Sequence, residues 1–267
     1  MGSIGSRLES GLDGIIAKIG LSGVALKLIA SVIMVIDHAA VAVLNPYIEV
    51  NVGNMSFETF KSMNDLYGIM HNKIGRIAFP IFCFLLVEGF LHTKNVWKYA
   101  RNLLIFAFIS EVFFDLALFR NPFDLKHQNV YFTLLLGLIC MYLLQSVMER
   151  RFSFLKGFHP VMIYALSILA VGLCMGIAYL LRTDYSYKGV LAISLMYLFR
   201  KNRFAKCVIG EIPFEYEPFA FFSIIPLLLY NNSRGRLGHK GFKYAFYAFY
   251  PAHLFILYLI SYALGCR

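Results

Sequence analysis

Apolar runs alternate with short polar stretches along most of the chain, and most of the runs are long enough to cross a membrane. They fall near 24–44, 74–91, 102–119, 130–148, 161–181 and 189–199. A compound run covers 204–230, and a last one covers 244–264. An α-helix rises about 1.5 Å per residue, so about 20 apolar residues cross a hydrocarbon core of about 30 Å. The pattern predicts an all-α fold: a polytopic transmembrane helical bundle of about eight or nine spans, forming a single domain over 24–267. Residues 1–23 are expected to be a cytoplasmic N-terminal segment. There "LESGLDGIIAKIG" sets charged residues among apolar ones at helical spacing, which suits either an amphipathic helix lying on the membrane or a frayed tail. Arg7, Glu9, Asp13 and Lys18 argue against a cleavable signal peptide.

The run "AKCVIGEIPFEYEPFAFFSIIPLLLY" carries Glu211, Glu215 and Glu217 with Pro213 and Pro218 in its middle. Those residues predict a broken or re-entrant segment rather than one crossing, and irregular backbone at that depth is tolerated only inside protein or beside water. Charge supports the same conclusion. Lys and Arg favour cytoplasmic loops. The N-terminal segment and the loops after the second, fourth and sixth runs hold thirteen of them, against six in the alternate loops. A segment that enters and returns adds Arg234, Arg236, Lys240 and Lys243 to the richer side. The N-terminus is therefore expected in the cytoplasm and the C-terminus outside.

Composition fits this picture: 59% of residues are hydrophobic, only 15% are charged, and the mean hydropathy is +0.66. The net charge of +10 sits in short clusters between apolar runs, so nucleic acid is not an expected partner. Cys83, Cys140, Cys174, Cys207 and Cys266 are isolated, predicting free thiols and no metal site. The chain has no G-x-S-x-G, H-E-x-x-H, P-loop or G-x-G-x-x-G, which excludes the usual lipase, zincin and nucleotide-hydrolase signatures.

Candidate chemistry lies in the polar residues buried in the runs. Lys27 and His38 are eleven residues apart, which returns to within about 20° of one helix face with about 16 Å of rise. Asp37 points about 100° away and is expected to face a neighbouring helix. Lys27 alone also fits an anchor at the membrane edge, and His38 alone a bond between helices. Adjacent ionisable groups at depth mark relays, pathways or catalytic centres by default. The second run has Arg76 toward its outer end and Glu88 toward its inner end. Outside, Arg76, Glu111, Asp115, His127, Asn129, Asp184 and Tyr185 could together line a polar vestibule. In the last run Pro251 frees a backbone carbonyl and His253 lies near mid-depth.

Seven stretches, "LKLIASVIMVIDH", "GRIAFPIFCFLLVEGF", "YARNLLIFAFISEVFFDLA", "NVYFTLLLGL", "DYSYKGVL", "SIIPLLLYNNSRG" and "KYAFYAFYPAHL", carry a resemblance to the TraX family over about 24–262. Its named member is a pilin N-terminal acetyltransferase. The family is in turn similar to the acyltransferase-3 type transmembrane acyltransferases. Those carry Arg or Lys, ten intervening residues and an essential His, a spacing that Lys27 and His38 match. Arg76 to Phe90 approximates that wider family's second span. This chain has fewer spans than the wider family and no attached soluble domain.

The resemblance implies transfer of an acetyl group from cytoplasmic acetyl-CoA to an acceptor reached from outside, in a bacterial inner membrane. The acceptor could be a peptide, glycan or lipid bearing a hydroxyl or an amine. His38 would act as general base and Asp37 beside it as a second catalytic group. Lys27, Arg234 and Arg236 would hold the CoA phosphates. Arg76, Asp115, His127, Asn129, Asp184 and Tyr185 would serve the acceptor. No metal is expected. The rival function is a proton-coupled transporter using Asp37, His38 and His253.

Overall fold

The computed structural model describes residues 20–235 and 240–266. Nearly all of the segment 1–23, and Arg236, lie outside the described residues. Among the described residues the structure is helical, with no strand beyond isolated bridges of Leu21 with Tyr230 and Gln128 with Thr183. Six helices are long and apolar enough to cross a membrane: Gly23–Asn54, Phe57–Leu91, Val96–Phe119, Val130–Met148, Pro160–Leu180 and Tyr244–Ala263. The chain is a multi-pass membrane protein. The expected eight or nine spans are met only roughly. The run near 189–199 forms a helix of 13 residues, Ser186–Leu198, short of a full crossing, and the run 204–230 is broken.

Three of the long helices are not uniform. The first joins α1 (Gly23–Ala39) to α2 (Asn45–Asn51) through a π turn at Ala40–Leu44. The second joins α3 (Phe57–Tyr67) to α4 (Ala78–Leu91) through a π turn at Gly68–Ile74 and a 3₁₀ turn at Gly75–Ile77. The third is α5 (Val96–Phe114), ending in a π turn at Asp115–Phe119. There follow α6 (Val130–Met148), α7 (Pro160–Leu180), α8 (Ser186–Leu198), α9 (Arg203–Ile209), α10 (Ile224–Leu228) and α11 (Lys240–Ala263). Several starts are fixed by side-chain caps: Ser22, Asn95, Asn129 and Asn202 each accept a bond from a first-turn backbone N–H.

Helix α4 is apolar all round and is the buried centre, packed against α1 and α8. Helix α7 lies at the edge. Its Ile168 and Leu169 are 73% and 66% exposed, the surface a bilayer would cover.

The broken segment crosses and returns. At one end of the bundle the Lys206 ammonium of α9 meets Glu88 Oε1 of α4 at 2.8 Å. The chain then rises past the 3₁₀ turn Ile212–Phe214 until Glu217 meets Arg76 at 3.3 Å. Arg76 lies twelve residues before Glu88, about 18 Å along a helix. A second 3₁₀ stretch, Pro218–Ser223, and α10 lead back to the first end. There Leu21 N–H donates to Leu229 O (2.8 Å) and Asn231 N–H to Leu21 O (3.0 Å). The two limbs are tied where Ser223 Oγ donates to Glu211 Oε1 at 2.5 Å, both residues being fully buried. Glutamate and proline break the helix, and buried partners take up the polar groups that the break exposes.

This geometry puts Lys201 and Asn232 on one side of the membrane and the Phe119–Asn129 loop on the other. Single cysteines at Lys201 and Asn232 should react with an impermeant maleimide from the same side. A cysteine at Leu125 should react from the opposite side. Opposite labelling of the first two would mean that 203–230 crosses once.

Candidate functional site

Two cavities flank the polar centre of the bundle. The larger, about 620 Å³, opens near the end where α1 begins. Lys27, Lys94, Arg234 and His92 line it, together with Glu88, which is held by Lys206. Lys27, Ser31 and Met34 carry one stripe of α1 along its wall. His38 is the next residue on that stripe, because 27, 31, 34 and 38 follow helical spacing. The cavity's far wall holds Tyr131, Phe249 and Tyr250, and the Tyr250 ring lies 5.9 Å from the His38 ring. His38 thus lies one turn beyond Met34, directly behind the Tyr250 ring of the cavity wall.

The hydrogen bonds of His38 fix its protons. His38 Nδ1 is 2.7 Å from His253 Nε2, with the two rings nearly parallel at 5°. His253 Nδ1 is 2.9 Å from Phe249 O. A carbonyl can only accept, so His253 Nδ1 carries the proton. In neutral His253 Nε2 is then the acceptor. His38 Nδ1–H must donate to it, and the lone pair of His38 lies on Nε2. Nearby, Pro251 has no N–H to give the carbonyl four residues back. That carbonyl, Tyr247 O, accepts instead from the Tyr131 hydroxyl at 3.1 Å.

Asp37 turns the other way. Its Oδ1 is 2.7 Å from His71 Nδ1 and 3.7 Å from Arg76 Nη2. The Arg76 guanidinium lies against the His71 ring, its Nε donates to His71 O (3.0 Å), and its Nη1 donates to Glu217 (3.3 Å). His71, Arg76 and Glu217 line the second cavity, about 350 Å³, with Tyr216 and Phe219. The π turn Gly68–Ile74 presents His71 to Asp37, an example of π turns placed at polar sites. Asp184 and Tyr185 border this network. Burial pushes the Asp184 carboxyl up to about 7, with the negative charge of Asp37 adding to the shift and Arg76 opposing it. Tyr185 stacks on Phe79 at 3.7 Å and holds a left-handed backbone, φ 59°.

Asp115, His127 and Asn129 form a separate cluster. Asp115 Oδ2 accepts from Asp124 N–H at 2.8 Å, and His127 pairs with Asp124 at 3.1 Å. Asn129 caps α6 and is bonded to Glu111 and to Ala107 O. These residues fasten the Phe119–Asn129 loop to α5 and α6 and have no bond to the Asp37 network. Among the expected phosphate ligands, Lys27 and Arg234 line the first cavity. Four contributors were not among the site residues expected from sequence: His71, Lys94, Tyr250 and Glu217, the last expected only as part of the break in 204–230. His71 and Glu217 lie 34 and 141 residues from their partners Asp37 and Arg76, so spacing carries no trace of them. Among the described residues no cluster of His, Cys, Asp and Glu is placed to hold a metal ion.

Comparison with known proteins places this geometry in a family. The family model described as TraX protein matches residues 22–261. A probable fimbrial assembly protein, FimC of serogroup H1 from Dichelobacter nodosus, is 28% identical over 258 residues, covering 90% of this chain and 96% of the relative. No solved structure matches.

The approach of Asp37 to the second helix depends on Gly75. A Cβ there would clash with the Asp37 carboxylate. Gly75→Ala should lower the melting temperature of the purified protein, since overpacking a tight site costs about 1–3 kcal/mol. An unchanged melting temperature would show that the helices can part without loss.

Proposed function

The chain belongs to the TraX family, and on that premise we propose that it is an integral-membrane acyltransferase. It moves an acetyl group from cytoplasmic acetyl-CoA to a hydroxyl or amine reached from the outer side of a bacterial inner membrane. One observation carries this proposal. Consecutive residues of one helix turn to two cavities: the His38 ring packs on Tyr250 in the wall of the first, and Asp37 bonds His71 in the wall of the second. Donor and acceptor can then reach the same helix turn without sharing an entrance.

The first cavity suits a CoA thioester. Its mouth is basic, through Lys27, Lys94 and Arg234, and its shaft is lined by Phe82, Leu85 and Leu86. Phosphates stay at the mouth while the pantetheine arm runs toward His38, about 16 Å along α1 from Lys27. The excess of basic loops supports a cytoplasmic mouth, on the side where acetyl-CoA is made. The second cavity offers Arg76, Glu217 and His71 to the acceptor, with Asp37 behind His71. The relative's name as a fimbrial assembly protein makes a surface-protein terminus one candidate acceptor, beside a glycan hydroxyl and a lipid amine.

The reaction follows from the tautomer. His38 Nε2 takes the proton of the acceptor O–H or neutral N–H as the acceptor lone pair attacks the thioester carbonyl carbon. The carbonyl π pair moves to oxygen and returns as the C–S bond breaks. The thiolate leaves with that bonding pair and takes the proton from His38 Nε2. His253 holds the other ring nitrogen and keeps the base facing the cavity. A positioned base of this kind is worth roughly 10²–10⁴-fold.

Purified protein in detergent should release CoA thiol from acetyl-CoA when a suitable acceptor is present. His38→Ala should abolish that release while the protein still inserts and folds. Turnover at the wild-type rate in His38→Ala would sink the mechanism. Thiol that is never released, alongside acceptor-independent proton uptake into vesicles, would favour transport instead.

Lys27→Ala should raise the acetyl-CoA KM moderately at low salt, and the effect should shrink as salt rises, because phosphate attraction at an open mouth is screened over about 8 Å. Lys27→Arg should be tolerated. A donor KM that is unchanged at low salt would leave Lys27 as a membrane anchor only.

A further inference from the structure

The first cavity has one polar group at its head that none of the roles above uses. Tyr250 is 4% exposed, and its hydroxyl is buried without a hydrogen-bond partner. A buried hydroxyl without a partner costs about 1–3 kcal/mol. The neighbouring Tyr131, 5.1 Å away ring to ring, spends its own hydroxyl on Tyr247 O. Tyr250 lines the cavity and lies edge-on to both members of the histidine pair, 5.9 Å from His38 and 5.5 Å from His253.

The oxygen of Tyr250 also faces the start of α6. Val130, the first residue of that helix, lines the same cavity, and its backbone N–H approaches the Tyr250 oxygen without reaching hydrogen-bond geometry. The first N–H groups of a helix have no partner within it and carry its positive end. Asn129 uses its side chain on Tyr131 N–H, one residue further on. The Tyr250 oxygen thus sits against a partly positive backbone group, and its proton is left to donate.

Resting on the acyl-transfer reading, we propose that the Tyr250 hydroxyl, backed by the Val130 N–H at the start of α6, is the oxyanion donor for the thioester carbonyl. When the acceptor attacks, the carbonyl oxygen gains the π electron pair and its charge falls on the Tyr250 O–H. No proton changes hands there. The bond is to an oxygen that is nearly neutral in the thioester and negative at the tetrahedral stage, so it strengthens as the reaction proceeds. It persists until the oxygen returns its pair and the thiolate leaves. No protein group accepts from this hydroxyl, so its proton can be given to the carbonyl. His38 and Tyr250 divide the work: one removes the acceptor's proton and the other receives the carbonyl's charge.

Tyr250→Phe removes only the hydroxyl and keeps the ring that packs on His38 and Tyr131. Turnover should fall about 10²–10³-fold, the usual loss of one oxyanion donor. The acetyl-CoA KM should stay within about twofold, and the melting temperature should not fall. A second measurement needs no turnover. Acetyl-CoA carrying ¹³C at the carbonyl, bound to His38→Ala protein, should show its carbonyl infrared band at lower frequency than in water. Adding Tyr250→Phe should abolish that shift. Binding with an unshifted band, or wild-type turnover in Tyr250→Phe, overturns the assignment and leaves the acyl-transfer reading standing. A loss of stability and donor binding without a separate loss of turnover makes Tyr250 a packing residue. Failure of the wild-type protein to bind acetyl-CoA overturns both.

Discussion

A lipid interior offers no hydrogen bonds, so a polar group at membrane depth must find its partner in protein. That constraint accounts for most of the features that make this bundle more than a set of apolar rods. Glu88 is held by Lys206, Arg76 by Asp37 and Glu217, Glu211 by Ser223, and His38 by His253. Each of these contacts joins different parts of the fold. Together they pull the broken segment and the last helix against the first two spans. The carbonyl freed by Pro251 is met by a tyrosine hydroxyl for the same reason. Ion pairs at depth are a poor source of stability, because desolvation offsets the attraction. Their value here is positional, since they set which residues of α1 and α4 face which cavity.

The helical class was legible because apolar runs of spanning length leave few alternatives. The break in 204–230 was legible too, because glutamates and prolines in an apolar run cannot continue one helix. The line from Lys27 to His38 followed from helical spacing, and the angle between Asp37 and His38 pointed them at different neighbours. What periodicity could not supply was the neighbour itself. His253 is 215 residues from His38, and nothing local pairs them. The π turns shift the register of the first two spans where the site is built, so a regular wheel misplaces His71. Nothing local marks Gly75, whose missing side chain lets one carboxylate approach the second helix. Of the residues that gather at the outer end in sequence, Asp115 gives one carboxylate oxygen to the Phe119–Asn129 loop and Asn129 caps a helix. Polar type and depth are visible in a chain; whether a bonding group is already spent is visible only in three dimensions.

The partners across this site are also far apart in time. Glu88 precedes Lys206 by 118 residues, Arg76 precedes Glu217 by 141, and His38 precedes His253 by 215. A ribosome adds residues in order, at about 5–20 per second. The first two spans can pair Asp37 with His71 and Arg76, but they leave it with His38 and Glu88 unmatched and Arg76 lacking its second carboxylate. They must wait many seconds before the hairpin of 203–230 and then the last helix arrive to neutralise them. During that interval α1 and α4 are poorly suited to lipid on their polar faces, and they need shelter from the insertion machinery or from each other. A chain truncated before residue 203 retains every apolar run of the first five long helices, yet Glu88 and Arg76 lack the partners that 203–230 brings. Such a fragment is a substrate for membrane quality control rather than a smaller version of the protein. The last sixty-odd residues decide whether the rest is tolerated.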